Sequence, residues 1–335
     1  MIIDIFTHVL PKDFTGALEK GGGRFGLVKR LMEVRELHDL DLRFRGMDAI
    51  GDYRQIVALP NPPIEAFADA ATGAELARIA NDGMAELVRR SPDRFPGFIA
   101  ALSMNDMDAA MRELERAITG LGAVGVQIFT NVNGKPLDLP EFAPLFAAMA
   151  GYGRPIWLHP ARTAETTDYA AEKHSRFELW WCFGWPYDTS VAMARLVFAG
   201  LFDRHPGLDI ITHHLGGMIP FFDKRIESGL AVLGSRTREE DYSGVLAALK
   251  RPHIEYFKMF HADTALFGAS HGLPCGLDFF GADHVVFASD CPFDKEKGPG
   301  YIRDTIKVLN SIPLSNAERE KICYRNAQML FGLAV

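Results

Sequence analysis

Four short apolar runs in this 335-residue chain each end in a side chain able to hold a divalent metal: IIDIFTH in His8, PIWLH in His159, LDIITHH in His213 and His214, and HVVFASD in Asp290. A polar group at the end of a buried strand must be solvated, paired or used. Four of them, drawn from distant parts of one chain, describe an active site in which imidazoles and a carboxylate share an ion. For His159 the alternative is a core histidine bonded to backbone, and for Asp290 a helix cap or turn. Successive strand residues face opposite ways, so only one of His213 and His214 should point inward. His214 is taken as that residue, suited to acid/base work, and His213 is expected to pack outside. Phe6 lies two residues before His8, on the face where a second first-strand ligand would sit, and it cannot bind metal.

The elements that must bring these residues together are legible as apolar runs bounded by turn residues. Eight strands are expected: Ile2 to Phe6, Gln55 to Leu59, Gly97 to Leu102, Gly125 to Phe129, Pro155 to His159, Asp209 to Thr212, His253 to Phe257 and His284 to Ser289. Their Val/Ile/Leu/Phe content suits strands covered on both faces, as in a parallel sheet. Alanine-rich stretches with apolar residues at three- and four-residue spacing lie between most of them and predict helices. Eight alternations, with no glycine-rich phosphate turn after Phe6, favour an α/β fold of the closed (β/α)8 TIM-barrel type over an open doubly wound sheet. No repeat or linker divides residues 1–335, so one domain is expected.

Three connections exceed the usual few residues: Pro11 to Gly46, Ala161 to Asp188 and Met218 to Pro252, following strands 1, 5 and 6. Long loops on the catalytic face of a barrel shape the substrate pocket. The second carries Trp180, Trp181 and Trp185, which either pack at an interface or line a pocket for a planar substrate.

Hydrophobic residues make up 48% and charged residues 24%, with no apolar run long enough for a membrane span, which describes a soluble globular enzyme. A net charge of −7 with dispersed basic residues argues against a nucleic-acid partner. Cys182, Cys275, Cys291 and Cys323 show no paired spacing, which suits reduced thiols, and the chain enters a strand directly; a cytoplasmic location is expected.

Taken together, MIIDIFTHVLP, RFRGMD, GVQIFTNVNGKPLD, WLHP, AGLFDRHPGLDIITHHLGGMIPF and FASDCPF resemble, nearly end to end, the aminocarboxymuconate-semialdehyde decarboxylase-like branch of the amidohydrolase superfamily. The resemblance implies a divalent metal, commonly zinc, held by His8, His159 and Asp290, with His214 as the catalytic histidine and Asp290 able to accept a proton. It also implies that an arginine before strand 2, Arg43 in preference to Arg45, grips a substrate carboxylate, the alternative being two solvent-facing helix arginines. Arg225 would reach the active site of a partner in a homodimer, the alternative being a surface ion pair with Asp223 or Glu227. Asn131 and Asn133 would orient substrate or form a turn, and Asp263 would be a partner of the site or a helix cap.

The activity implied is decarboxylation of a small carboxylated aromatic or unsaturated acid. Hydrolysis of a lactone, ester or amide by a metal-activated water would use the same pocket, and a barrel without catalysis is the third reading. The first position of the family's HxH pair falls on Phe6. Losing one ligand of four should cost on the order of several kcal/mol of metal affinity unless something replaces it. Three outcomes stay open: a three-residue site completed by His214 or water, a site that binds metal weakly, or direct action by the remaining groups without metal.

Overall fold

In a computed structural model that describes residues 1–21 and 26–333, eight parallel strands form the barrel. They are β1 (Ile2–His8), β2 (Tyr53–Ala58), β3 (Gly97–Ala101), β4 (Gly125–Phe129), β5 (Ile156–His159), β6 (Ile210–Thr212), β7 (His261–Asp263) and β8 (Val285–Val286), each beside its sequence neighbour. Residues 22–25, inside the long first connection, and 334–335, at the end of the expected single domain, lie outside the described residues.

The barrel closes beyond the regular end of β8. Ile5 N donates to Phe287 O (3.0 Å), Asp290 N to Phe6 O (3.2 Å) and His8 N to Cys291 O (2.8 Å). These bonds tie β1 to the chain after β8, and with them His8 to Asp290. A register shift between Asp4 and Thr7 on β1 accompanies the seam; such bulges re-aim side chains. Ile3, Ile5, Phe6, Ile56, Ile99, Trp157, Ile211 and Val286 fill the barrel interior. A larger apolar layer lies between the strands and the surrounding helices.

The seventh strand is displaced from its expected position. Residues His253–Phe257 form a short helix after Pro252, whose own backbone is extended (φ −51°, ψ 133°). His253, Tyr256 and Phe257 are buried at three- and four-residue spacing, a helical stripe that a short apolar run does not distinguish from a strand. The strand is His261–Asp263, which carries Asp263 to the catalytic end. The three long connections fold in part into helices, including Lys12–Gly21, Gly184–Phe198 and Asp223–Leu230. Among the described residues no helix is long and apolar enough to cross a membrane, and all four cysteines are free thiols.

A polar knot fastens the seam from the barrel's outer layer. Tyr53 Oη donates to Asp4 Oδ2 (2.5 Å), Ser289 Oγ donates to the same carboxylate, and Ser289 N donates to Oδ1 (3.1 Å). Burial pushes the Asp4 carboxyl up from 3.8 to about 7, against the pull of these donors. Because its folded pKa is raised, the stability Asp4 contributes is fully present below 3.8 and is lost as pH rises through about 7. Tyr53→Phe removes one donor to the anion. Urea denaturation of that variant is expected to show a deficit of about 1–3 kcal/mol at alkaline pH and a smaller one at mildly acid pH; a deficit independent of pH contradicts the assignment.

Candidate metal centre and active site

Asp290 leaves the seam with a left-handed backbone (φ 64°). This conformation is uncommon for a residue with a Cβ and is typical of functional positions. Its carboxylate is almost fully buried, with Oδ1 3.0 Å from His8 Nε2 and 3.6 Å from His213 Nε2. Burial alone would raise its pKa, but the neighbouring imidazoles of His213 and His8 hold it well below the usual carboxylate range.

The partners of each ring decide its tautomer. His8 Nδ1 donates to Leu59 O (3.1 Å) and His159 Nδ1 to Pro160 O (2.7 Å); carbonyl oxygens only accept, so these nitrogens carry the hydrogen. His213 Nδ1 donates to the fully buried Asp263 Oδ2, whose other oxygen accepts from Ala265 N (3.0 Å). All three rings therefore turn Nε2 away from the scaffold. A carboxylate or carbonyl behind Nδ1 is the usual support of a metal-binding histidine. The donor atoms of His213, His214 and Asp290 lie within 4.8 Å of one another, and His213 Nε2 and His214 Nδ1 are buried without a hydrogen-bond partner.

His213 points inward, contrary to the expectation that it packs outside. Ile211 faces the barrel interior, and residue 213 shares its face because His213 remains extended (φ −73°, ψ 155°). At His214 the backbone turns left-handed (φ 52°), which breaks the alternation and brings its ring within 3.7 Å, centroid to centroid, of His213. The parity of Ile211 was the signal available in the sequence. Burial, then the neighbouring His213 charge, lower His214 to about 3, and the same causes push His159 well below its ordinary value. Burial opposes protonation of His213, yet the Asp263 and Asp290 carboxylates raise it to about 9.

Aromatic rings wall this cluster. Trp185 stacks over His214 at 6.0 Å and meets His159 at 5.4 Å, Phe129 lies 5.3 Å from His159, Phe293 5.3 Å from His8, and Phe267 5.7 Å from His214. Phe6 sits among the imidazoles, 4.3 Å from His213, 4.7 Å from His8 and 5.8 Å from His159. Trp185 thus belongs to the site, while Trp180 and Trp181 pack against it. A cavity of about 750 Å³ adjoins the ends of β4 and β5, lined by Thr130, Asn131, Asn133, Ala161, Arg162 and Asp188 among others.

The remaining expected residues divide. Asp263 is the partner that orients His213. Asn131 and Asn133 line the cavity but are also engaged in the turn, accepting from Gly134 N (2.8 Å) and donating to Glu65 O (3.1 Å) respectively. Arg225 is exposed on the helix Asp223–Leu230. Arg43, expected to grip a carboxylate, is instead buried behind β1 and β2. It donates to Gln55 Oε1 (2.7 Å) and to His8 O (2.5 Å), with Nη2 left unpartnered. The reason is its place on the helix Leu40–Ile50, where positions 43 and 47 are the buried ones. Two arginines line the cavity: Arg162, paired with Asp188 at 3.8 Å, and Arg195, paired with Asp138 at 2.7 Å.

A family model described as amidohydrolase matches residues 3–333. The chain belongs to the amidohydrolase family. Its relatives place it in the aminocarboxymuconate-semialdehyde decarboxylase-like branch. It is 33% identical over 322 residues to a gamma-resorcylate decarboxylase of Rhizobium radiobacter, covering 92% of this chain and 90% of that protein. It is 29% identical over 348 residues to the 2-amino-3-carboxymuconate-6-semialdehyde decarboxylase of Dictyostelium discoideum, covering 99% and 91%. A crystal structure of a dihydroxybenzoic acid decarboxylase from a Polaromonas species, with bound manganese and the inhibitor 2-nitroresorcinol, superposes with a TM-score of 0.79 at 29% identity, covering 99% and 96%.

If Arg43 holds β1 rather than substrate, Arg43→Met strands the Gln55 and His8 acceptors. The expected cost is about 2–4 kcal/mol in urea denaturation. Unchanged stability with weakened substrate binding contradicts the internal role.

Proposed function

We propose that this chain is a metal-dependent decarboxylase of a small carboxylated aromatic acid, with an ortho-hydroxylated benzoate as the preferred class. The observation that carries the reading is the buried cluster of Asp290 and imidazoles, with the rings of Trp185, Phe129, Phe267 and Phe293 packed around it. The gamma-resorcylate decarboxylase relative favours the same chemistry.

The residues suit a divalent cation. His8, His159 and Asp290 are the proposed ligands: the imidazoles are fixed at Nδ1, and Asp290 is a buried anion. His8 Nε2 meets Asp290 Oδ1 at 3.0 Å, and a cation held between the two would take the place of the proton they share. When bound, the ion would neutralise the substrate's carboxylate and hydroxyl oxygens and orient the ring. Manganese, which the Polaromonas structure holds, is preferred to zinc.

His214 is the proposed acid/base. Held neutral, it can take the proton of an ortho hydroxyl; the imidazolium so formed is strongly acidic and passes the proton to the ring carbon bearing the carboxylate. The bond to the carboxylate then breaks, its electron pair restores aromaticity as a phenolate, and carbon dioxide leaves. Trp185 covers His214 and limits the access of water.

A homodimer with Arg225 near the partner's site, in the cytoplasm, completes the proposal. The exposed Phe183, Tyr187 and Val191, four residues apart along one helix face, support an interface.

Gamma-resorcylate supplied to the purified protein should release carbon dioxide, and in D2O the product should carry deuterium at the vacated carbon. Chelation should abolish turnover and manganese should restore it. His214→Ala should lower kcat by about 10²–10⁴-fold with metal content unchanged. Inertness toward a panel of hydroxylated benzoates, alongside hydrolysis of a lactone or ester, contradicts the reading.

A further inference from the structure

Position 6 offers no ligand, and its ring fills the space among three imidazoles, 4.3 Å from that of His213. His213 has what a metal ligand needs from its surroundings. Its Nδ1 is anchored on Asp263, a carboxylate with no exposed surface, and its Nε2 is buried, without a partner, and 3.6 Å from Asp290 Oδ1. Nε2 therefore faces a carboxylate oxygen with no scaffold group between them, and a cation held there would take the place of the ring's second proton. The shared face with Ile211 and the Asp263 bond fix the ring in that direction. His214 is placed differently: it has no carboxylate bond behind it and lies against Trp185 and Phe267, where a substrate ring would enter.

We infer that His213 supplies the metal ligand that Phe6 has removed from β1, binding through Nε2 the same ion as Asp290. The inference rests on the metal-dependent reading above. One strand has surrendered a ligand and β6 has replaced it, so the centre keeps its number of protein donors but is shifted toward β6.

Cobalt(II) titration of chelator-stripped protein, followed by visible absorption and by metal content, tests this without reference to turnover. Wild type should bind cobalt stoichiometrically. His213→Ala should weaken binding by more than the roughly 10–100-fold typical of losing a supporting residue. Phe6→His in the His213→Ala background should recover it, and His214→Ala should keep wild-type affinity. A His213→Ala protein that titrates like wild type overturns the inference and leaves the metal-dependent reading standing on His8, His159 and Asp290. A wild type that takes up no cobalt overturns both. Should His213→Ala fail to fold, nitrogen-15 spectra of histidine-labelled wild type decide. The His213 Nε2 resonance is expected to move on zinc addition, and an unmoved resonance refutes the role.

Discussion

The seam between the first and last strands is the constraint on which the site depends. Main-chain bonds from Asp290 to Phe6 and from His8 to Cys291 hold two segments more than 280 residues apart in sequence at one rim of the barrel. They deliver a carboxylate and an imidazole to hydrogen-bonding distance of each other. The Asp4, Tyr53 and Ser289 knot locks the same seam from outside, and Arg43 fastens the His8 carbonyl. The outer polar layer therefore positions chemistry that it never touches. Packing alone would not specify this, because apolar contacts are non-directional whereas the seam is a set of directed bonds.

At the inner end of the seam, electrostatics assign different tasks to similar groups. His8, His159 and His213 each give Nδ1 to the scaffold and present Nε2; His214 presents an unpartnered Nδ1 beside Trp185. Asp290 stays ionised because imidazoles surround it, while His214 stays neutral because burial and a charged neighbour oppose its protonation. An anion fit for a cation thus stands beside a neutral imidazole fit for proton transfer, within a wall of aromatic rings.

The strands whose apolar runs end in His8, His159 and Asp290 were legible because a buried strand and a terminal polar residue are local features. So was the count of eight strands, and with it the barrel. The seventh strand was misplaced because HIEYF satisfies both strand and helix patterns, and Pro252 before it tips the balance toward a helix start. His213 was misassigned because the left-handed backbone at His214 suspends alternation, and a non-glycine residue gives little local notice of that. Arg43 was misread for another reason. Which face of the Leu40–Ile50 helix meets the barrel depends on tertiary packing, and resemblance carries a residue's position more reliably than its direction. Arg162 gives no signal of its own in the sequence, because it sits in a long connection with no periodic pattern.

The most direct test of the account is a crystal of this protein soaked in manganese and measured for anomalous scattering. The account predicts a single strong peak within about 2–2.5 Å of Asp290 Oδ1, inside the ring of imidazoles. No peak at saturating manganese, or a peak away from Asp290, would contradict it.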